Sequence, residues 1–155
     1  MKTPQPTPLT QTRPSLRLDE QLCFSLYSTT LAMNKLYRSA LKTLDLTYPQ
    51  YLVMLVLWEQ DQRSVSAIGE ELFLDSATLT PLLKRMEKAG LLSRTRAVAD
   101  ERSVIIALTD QGKALRAEAD AVLWQIFCST GLSAHDVSAL RDNLKQLRGQ
   151  LLAAG

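Results

Sequence analysis

The sequence contains few of the residues that build metal centres or disulfide frameworks. Among its 155 residues there are one histidine, His135, and two cysteines, Cys23 and Cys128. His135 has no cysteine, histidine or acidic partner at the spacing of metal ligands, so we expect it on the surface and expect no metal site. Two thiols in a cytoplasmic chain are not expected to form a permanent structural disulfide. Any disulfide between them is therefore expected to be transient and not a permanent part of the fold.

Long hydrophobic runs are also absent. The longest, YLVMLVLW from Tyr51 to Trp58, is far shorter than the ~20 apolar residues of a membrane-spanning helix. Residues 1–14 contain four of the six prolines and no apolar stretch of the kind found in secretory signals. We expect residues 1–15 to form a disordered tail on a cytoplasmic protein that does not associate with membranes.

Charge is small in total but unevenly distributed. The formal net charge of the chain is +2. Residues 84–102 carry six basic and three acidic side chains, a net +3, which leaves −1 for the rest of the chain. Positive charge is thus concentrated in one short segment, where a polyanion can bind.

Apolar periodicity and capping residues predict six helices and one β-hairpin, in the order ααααββαα, within a single domain that spans residues 16–155. The fold class is mainly α with a small β-hairpin. The expected helices cover residues 16–44, 48–60, 64–74, 75–90, 109–130 and 133–152, and the expected strands cover 91–96 and 103–108. Residues suited to cap the later helices are Thr47, Ser64, Asp75 or Ser76, Thr109 and Ser133.

Side-chain character adds expectations about the core. The aromatic residues Tyr51, Trp58 and Phe73 are expected to be buried. Pro81 lies inside the fourth helix, where it removes one backbone hydrogen bond, so that helix is predicted without a fixed start. Its buried stripe is expected to consist of Leu79, Leu82, Leu83 and Met86.

Two short helices with a tight connection, followed by a basic hairpin, are the parts of a winged helix-turn-helix, here about residues 47–108. The second helix would enter the major groove of DNA, and the hairpin tip would reach a minor groove. Hydroxyl groups and cations suit phosphates and base edges, although a solvated charged face is the alternative explanation. The candidate DNA-binding residues are Asp75, Ser76, Ala77, Thr78, Thr80, Pro81, Lys84, Arg85, Lys88, Arg94, Arg96, Asp100 and Arg102.

The first and the last two helices, about residues 16–44 and 109–152, carry more apolar surface than one small winged domain can cover. A further surface must bury these side chains, and a second copy of the chain is the simplest candidate. They include Leu26, Met33, Leu115, Leu123, Trp124, Phe127, Leu140, Leu144, Leu147 and Leu151.

Four segments carry a family resemblance: LDEQLCFSLY, LTYPQYLVMLVLWE, LFLDSATLTPLLKRMEKAGLL and DERSVIIALTDQGKAL. Residues from Leu18 to about Thr130 resemble MarR-family transcriptional regulators, and QLCFSLYS and TLTPLLKR resemble their organic hydroperoxide sensor branch, OhrR. The resemblance implies a homodimeric MarR-like repressor, without cofactor or enzymatic activity, whose two winged motifs bind a pseudo-palindromic operator in double-stranded DNA.

The same resemblance implies the chemistry of the switch. It makes Cys23 the thiol that organic hydroperoxide, the inducer, oxidises, and it makes Tyr27, Tyr37 and Tyr48 the tyrosines that support this thiol. Cys128 matches the resolving cysteine of the two-cysteine subgroup, whose disulfide joins two subunits and releases DNA. A buried small hydrophobic residue is the other interpretation of Cys128.

Helix geometry adds a constraint on this site. Cys23 and Tyr37 are 14 residues apart, so on one straight helix they are separated by about 21 Å, too far for a hydrogen bond. They can meet only if two copies of the helix cross antiparallel near residue 30. A phenol beside the sulfur would then stabilise the reactive thiolate by donating a hydrogen bond.

Two other functions fit parts of this pattern. One is a MarR-like regulator that a small aromatic ligand switches, with both thiols incidental. The other is a thiol peroxidase, which would have no need of the basic winged segment.

Overall fold

The computed structural model describes residues 15–98, 100 and 102–155. Of the predicted tail, 1–15, only Ser15 lies within the described residues. The chain divides into two compact units at the boundary between Lys35 and Leu36. The elements in chain order are α1 (Leu22–Ala40), α2 (Tyr48–Glu59), β1 (Arg63–Ser64), α3 (Val65–Leu72), α4 (Ser76–Lys88), β2 (Leu92–Arg96), β3 (Val104–Leu108), α5 (Asp110–Ser129) and α6 (Ala134–Ala154).

The first helix is shorter than predicted from residues 16–44. A separate 3-10 turn covers Leu18–Glu20, and Gln21 behind it is extended (φ −83°, ψ 119°), which prevents a continuous α-helix. At the other end the helix tightens into a 3-10 turn, Leu41–Leu44, and the left-handed Asp45 (φ 52°) ends it. The apolar period continues through both ends, which is why the sequence suggested one long helix.

Helix α2 starts where the sequence predicted. The Thr47 hydroxyl accepts a hydrogen bond from the backbone N–H of Gln50, and the Gln50 side chain accepts one from the backbone N–H of Thr47. Pro49 lies in the first turn, where no partner for its missing N–H is needed. Burial reaches most of the helix circumference, with Tyr51, Val53, Met54, Val56 and Leu57 in the core. None of the described helices is both long and apolar enough to cross a membrane.

Helices α3 and α4 form the predicted helix-turn-helix. Ser64 caps α3 through the N–H of Ala67 at 3.1 Å. Asp75, rather than Ser76, caps α4 through the N–H of Thr78 at 2.7 Å. The start of α4 is thereby defined, and the helix continues through Pro81 to Lys88.

Of the three aromatic residues predicted in the core, only Tyr51 is fully buried, and the prediction for Phe73 is wrong. Phe73 was expected in the core but is 59% exposed, because it adopts the left-handed conformation (φ 56°) that ends α3 and turns its side chain outwards. The guanidinium carbon of Arg148 lies 4.4 Å from the centroid of the Phe73 ring, which is a cation–π contact. Tyr51 is buried as predicted, at 2% exposure, whereas Trp58 is only partly buried.

The predicted hairpin is present but has a third strand beside it. Strands β2 and β3 pair antiparallel, with Leu92 opposite Leu108 and Arg96 opposite Val104. The two-residue strand β1 pairs with the other edge of β3, which gives the order β1-β3-β2. A strand of two residues is too short to show a period, so sequence analysis missed it.

The last two helices begin at their predicted caps. Thr109 caps α5 and Ser133 caps α6, and the left-handed Gly131 (φ 66°) separates the two helices. Against the described residues, α6 buries none of its side chains. In the described chain, large apolar residues are exposed on α1, α5 and α6: Leu22, Phe24, Tyr27, Leu31, Leu123, Trp124, Leu140, Leu144, Leu151 and Leu152.

Gly112 provides a test of how α5 packs. A Cβ at this position would overlap the carbonyl oxygen of Leu91 and press on the Leu108 side chain. We expect Gly112→Ala to lower the free energy of unfolding by roughly 1–3 kcal/mol, as overpacking of a close backbone contact does. Denaturant titration at one fixed protein concentration measures this change.

Gly149→Ala is the matched control. Gly149 also lies in a helix, and nothing described lies within 4 Å of a Cβ built there. Loss of glycine flexibility should then leave the stability equal or raise it by about 0.5–1 kcal/mol. An unchanged stability of Gly112→Ala would contradict the packing of α5 described above.

Candidate DNA-binding surface and thiol site

The predicted DNA-reading face of α4 is exposed. The apolar stripe Leu79, Leu82, Leu83 and Met86 is buried as expected. On the rest of the helix surface only Thr80 is partly buried, and the other predicted residues of this segment are exposed: Asp75, Ser76, Ala77, Thr78, Pro81, Lys84, Arg85 and Lys88. The helix therefore presents hydroxyls in its first turns and cations towards its end.

The Asp75 carboxylate has a defined local task. Hydrogen bonds from Thr78, chiefly from its backbone N–H, hold the pKa of this carboxyl below its ordinary value. The charged form is therefore favoured at the positive end of the α4 dipole, where it stabilises the helix. This role accounts for Asp75 as a cap, and its predicted contact with DNA stays a prediction.

The wing adds further cations beside α4. Arg96 and Arg102 are exposed, as is Asp100. The Asp100 carboxylate accepts a hydrogen bond from the backbone N–H of Arg102 at 3.0 Å, and its carbonyl accepts one from Ser103, which together form the turn. This turn keeps the Arg102 backbone at the tip of the hairpin.

Arg94 differs from the other predicted cations of the wing. Its guanidinium lies 3.6 Å from the Glu87 carboxylate, and its backbone N–H donates to the same carboxylate at 3.2 Å. Its Nε is buried without a partner among the described residues. Arg94 thus fastens the wing to α4, and its predicted contact with DNA stays a prediction.

The two thiols lie in different units and are both exposed. Cys23 is in the first turn of α1, and Cys128 is in the last turn of α5. Cys128 is exposed within the described chain, and its role as the resolving thiol stays a prediction. Tyr27, expected to support Cys23, lies in the same unit and is exposed.

The two other predicted tyrosines lie together. The rings of Tyr37, in the last turns of α1, and Tyr48, at the start of α2, have centroids 4.4 Å apart. Tyr51 joins them, 5.9 Å from Tyr37. Sequence analysis assigned Tyr51 to the core alone, although its position three residues after Tyr48 on one helix face was a signal that the two act together.

Burial keeps these phenols neutral. It raises the pKa of Tyr37 from its ordinary value of 10.0 to about 12, with smaller contributions from Tyr48 and Tyr51. It also raises the pKa of Tyr48 and of Tyr51. At neutral pH each phenol is protonated, as an ordinary tyrosine is, and can donate a hydrogen bond to a thiolate.

The structure also bears on cofactor chemistry. Within the described ranges no three histidine, cysteine or acidic side chains gather as a metal site would require. His135 is exposed, as expected, beside Asp136.

Comparison with known proteins is consistent with this arrangement. The family model described as "Transcriptional regulator SarA/Rot" matches residues 35–119. The HTH-type transcriptional regulator TtmR of Methylorubrum extorquens (strain PA1) is 49% identical over 136 residues, which cover 88% of this chain and 70% of TtmR. The organic hydroperoxide resistance transcriptional regulator of Bacillus subtilis (strain 168) is 45% identical over 132 residues, which cover 85% of this chain and 90% of that protein.

Solved structures give the same assignment. AbfR of Staphylococcus epidermidis, in its reduced form bound to DNA, superposes with a TM-score of 0.73 at 39% identity and covers 88% of this chain and 96% of its own. AbfR with its disulfide formed gives a TM-score of 0.62 and covers 85% of this chain and 93% of its own. The architecture is that of a winged-helix regulator rather than an enzyme. The chain belongs to the MarR family of transcriptional regulators and is homologous to the Bacillus hydroperoxide regulator.

The raised pKa of Tyr37 predicts a specific alkaline transition. Since the folded pKa lies above the unfolded one, its contribution to stability is complete below pH 10 and is lost as the pH rises towards 12. The free energy of unfolding of the wild type should therefore fall more steeply over this interval than that of Tyr37→Phe. Urea titrations at several pH values, with tyrosinate absorbance recorded in parallel, measure both effects, and identical slopes would contradict the burial described here.

Proposed function

We propose that this regulator is a DNA-binding repressor that senses organic hydroperoxides through oxidation of Cys23, and that an intersubunit disulfide with Cys128 releases operator DNA. The observation that carries the proposal is the neutral pair Tyr37 and Tyr48, with ring centroids 4.4 Å apart, where α1, which holds Cys23 in its first turn, is followed by α2. Such a pair offers two phenolic donors for a thiolate. Two adjacent phenolic donors favour a redox sensor over a regulator without redox chemistry.

The DNA-binding part of the proposal rests on α4 and the wing. Exposed Lys84, Arg85 and Lys88 on the helix, with Arg96 and Arg102 on the wing, supply cations for phosphates on both sides of a groove. The exposed hydroxyls of Ser76 and Thr78 lie at the helix start, which enters the major groove in helix-turn-helix proteins. AbfR, which shares this architecture, has been solved bound to DNA.

A homodimer is the second part. Apolar side chains on α1, α5 and α6 include Trp124, which is 67% exposed, and the partly buried Phe127, whose ring stacks on Trp124 with centroids 5.6 Å apart. An apolar surface of this kind marks an interface. An isologous dimer would pair the start of one α1 with the end of the other, so that Cys23 of one protomer meets Tyr37 of its partner.

The proposed chemistry at Cys23 has two steps. The thiolate attacks the outer peroxide oxygen, an S–O bond forms, the O–O bond breaks, and the alkoxide leaves and takes a proton to become the alcohol. The resulting sulfenic acid is attacked by the Cys128 thiol of the second copy, which forms the S–S bond and releases water. Tyr27, Tyr37 and Tyr48 would donate to the sulfur during the first step. The disulfide requires the two Cα atoms within about 7 Å, so the dimer helices would have to shift.

A small-molecule switch is the second candidate. A groove of about 260 Å³ between α2 and α5 is lined by aromatic and aliphatic side chains, one cation and two acidic residues, and has room for a small aromatic ligand. Its lining residues are Tyr51, Leu55, Trp58, Glu59, Arg116, Ala119, Asp120 and Leu123.

A gel shift with operator DNA separates the two candidates. Addition of an organic hydroperoxide such as cumene hydroperoxide should release the wild type but leave Cys23→Ser bound, because only the wild type can form the sulfenic acid. Benzoate, tested without oxidant, should have no effect on either protein. Release by benzoate, with both proteins insensitive to peroxide, would establish the second candidate instead.

The resolving role of Cys128 has its own test. After oxidation the wild type should migrate as a covalent dimer on a non-reducing gel, whereas Cys23→Ser and Cys128→Ser should migrate as monomers. Mass spectrometry of Cys128→Ser should still show an oxidised Cys23. A covalent dimer formed by Cys128→Ser would show that the disulfide has a different partner.

The DNA surface is tested by charge removal. Lys84→Ala should weaken binding to all DNA sequences and reduce the slope of log K against log salt by about one, because one phosphate contact is lost. Lys145→Ala is the control, since Lys145 is an exposed lysine on α6 and outside the proposed surface. Equal effects of the two substitutions in a fluorescence anisotropy titration would argue against docking through α4.

A further inference from the structure

The tyrosine cluster continues along α2 to a tryptophan. The Trp58 ring meets Tyr51 edge-on, with ring centroids 6.3 Å apart. The centroid of the Tyr51 ring lies 5.9 Å from that of Tyr37, and Tyr51 is almost completely buried. Because neighbouring rings in this row are in contact, a displacement of Tyr37 can be passed through Tyr51 to Trp58.

Two polar groups of Trp58 are hydrogen-bonded to the first two turns of α5. Its indole Nε1–H donates to the carbonyl oxygen of Gly112 at 2.9 Å, and its own carbonyl accepts from the Arg116 guanidinium at 3.4 Å. The indole bond joins residues 54 positions apart in the sequence. It therefore makes a long-range connection between the aromatic row and the first turn of α5.

The first turn of α5 is itself tied to the end of the recognition helix. The Thr109 hydroxyl accepts from the N–H of Gly112 at 3.1 Å and donates to the carbonyl of Gly90 at 2.6 Å. The Thr109 N–H donates to the carbonyl of Leu91 at 3.1 Å. Both acceptors lie in the short link between α4 and β2.

That link is hydrogen-bonded to the end of α4. The N–H of Leu91 donates to the carbonyl of Met86, and the N–H of Gly90 donates to that of Glu87, which is the Schellman arrangement that ends a helix. Gly90 has the left-handed backbone (φ 77°) that this arrangement requires. Thr109 thus contacts the link that joins the end of α4 to the base of the wing.

We infer that Trp58 is a positioning residue that couples the tyrosine cluster to the junction between α4 and the wing, through Gly112 and Thr109. The inference rests on the redox function proposed above and adds that oxidation removes the contact of Tyr37 and Tyr48 with the Cys23 thiolate of the second copy. A displacement of these rings then alters the position of α5. Through Thr109 and Gly90, it also alters the orientation of the DNA-reading face of α4. Every contact in this route belongs to the unit from Leu36 onward.

The experiment compares operator affinity in the reduced and the disulfide forms. The measured quantity is the redox ratio, defined as the dissociation constant of the disulfide form divided by that of the reduced form. Both constants are obtained by fluorescence anisotropy with the full-length dimer. Trp58→Phe keeps a ring in the aromatic row but removes the donor to Gly112. We expect this variant to oxidise at Cys23 at the wild-type rate and to bind DNA normally when reduced, with a redox ratio lowered by about fivefold or more, the size of a typical coupling between sites.

A second pair of variants tests the other end of the route. Thr109→Val removes the hydroxyl that links Gly112 to Gly90 and should lower the redox ratio in the same way. Thr109→Ser keeps the hydroxyl and should retain the wild-type ratio. Because this pair is independent of the indole, it tests the inference even if Trp58→Phe folds poorly.

Loss of stability by itself needs a control. Ile68 is completely buried in α3 and is not part of the route. Ile68→Val should lose some stability yet retain the wild-type redox ratio. A lowered ratio in this variant would show that stability, and not the route, sets the response.

The outcomes separate the inference from the function on which it rests. A wild-type ratio in both Trp58→Phe and Thr109→Val would overturn the coupling route. Equal weakening of both redox states would make Trp58 a purely structural residue and would also overturn it. A wild-type protein whose DNA affinity does not change on oxidation would instead overturn the proposed redox function.

Discussion

Helix α2 is central to the structure because it buries side chains around most of its circumference. Val53, Met54 and Leu57 lie in the core, and α3, α4 and α5 all pack against the helix. The same helix carries Tyr48 and Tyr51 of the aromatic cluster. A single buried helix thus supports both the DNA-reading motif and the groups proposed to sense oxidation, so neither can move far without the other.

The outer helices present the opposite situation. Within the described chain α6 has no buried side chain, and apolar residues of α1 and α5 remain open to solvent. The homodimer proposed above would cover this surface, and the proposed peroxide site would take its thiol and its phenols from two copies. Stability and sensing would then depend on the same interface.

Local signals in the sequence predicted much of the fold. Thr47, Ser64, Thr109 and Ser133 were identified as caps and serve as caps, because capping depends on hydrogen bonds within a few residues. The buried stripe of α4 was equally readable, since its period follows from the helix itself. The family resemblance added the regulator class, which the homologous regulators confirm.

Features set by distant residues were not predictable in this way. Phe73 looked like core, but the left-handed turn at the end of α3 exposes it, and an aromatic side chain gives no sign of such a backbone. The ion pair of Arg94 with Glu87 joins two elements, so charge alone suggested a DNA contact. The bond between Trp58 and Gly112 spans 54 positions, and no local pattern predicts it.

The exposure of α6 has a consequence for the amount of protein in the cell. The 21-residue α6 has no buried side chain in the described chain, so contacts with another chain would add to its order. If that chain is a second copy, order in the segment follows mass action and falls on dilution. Sparse, newly made protomers would then expose a frayed end to proteases, and turnover would be fastest when the regulator is scarce.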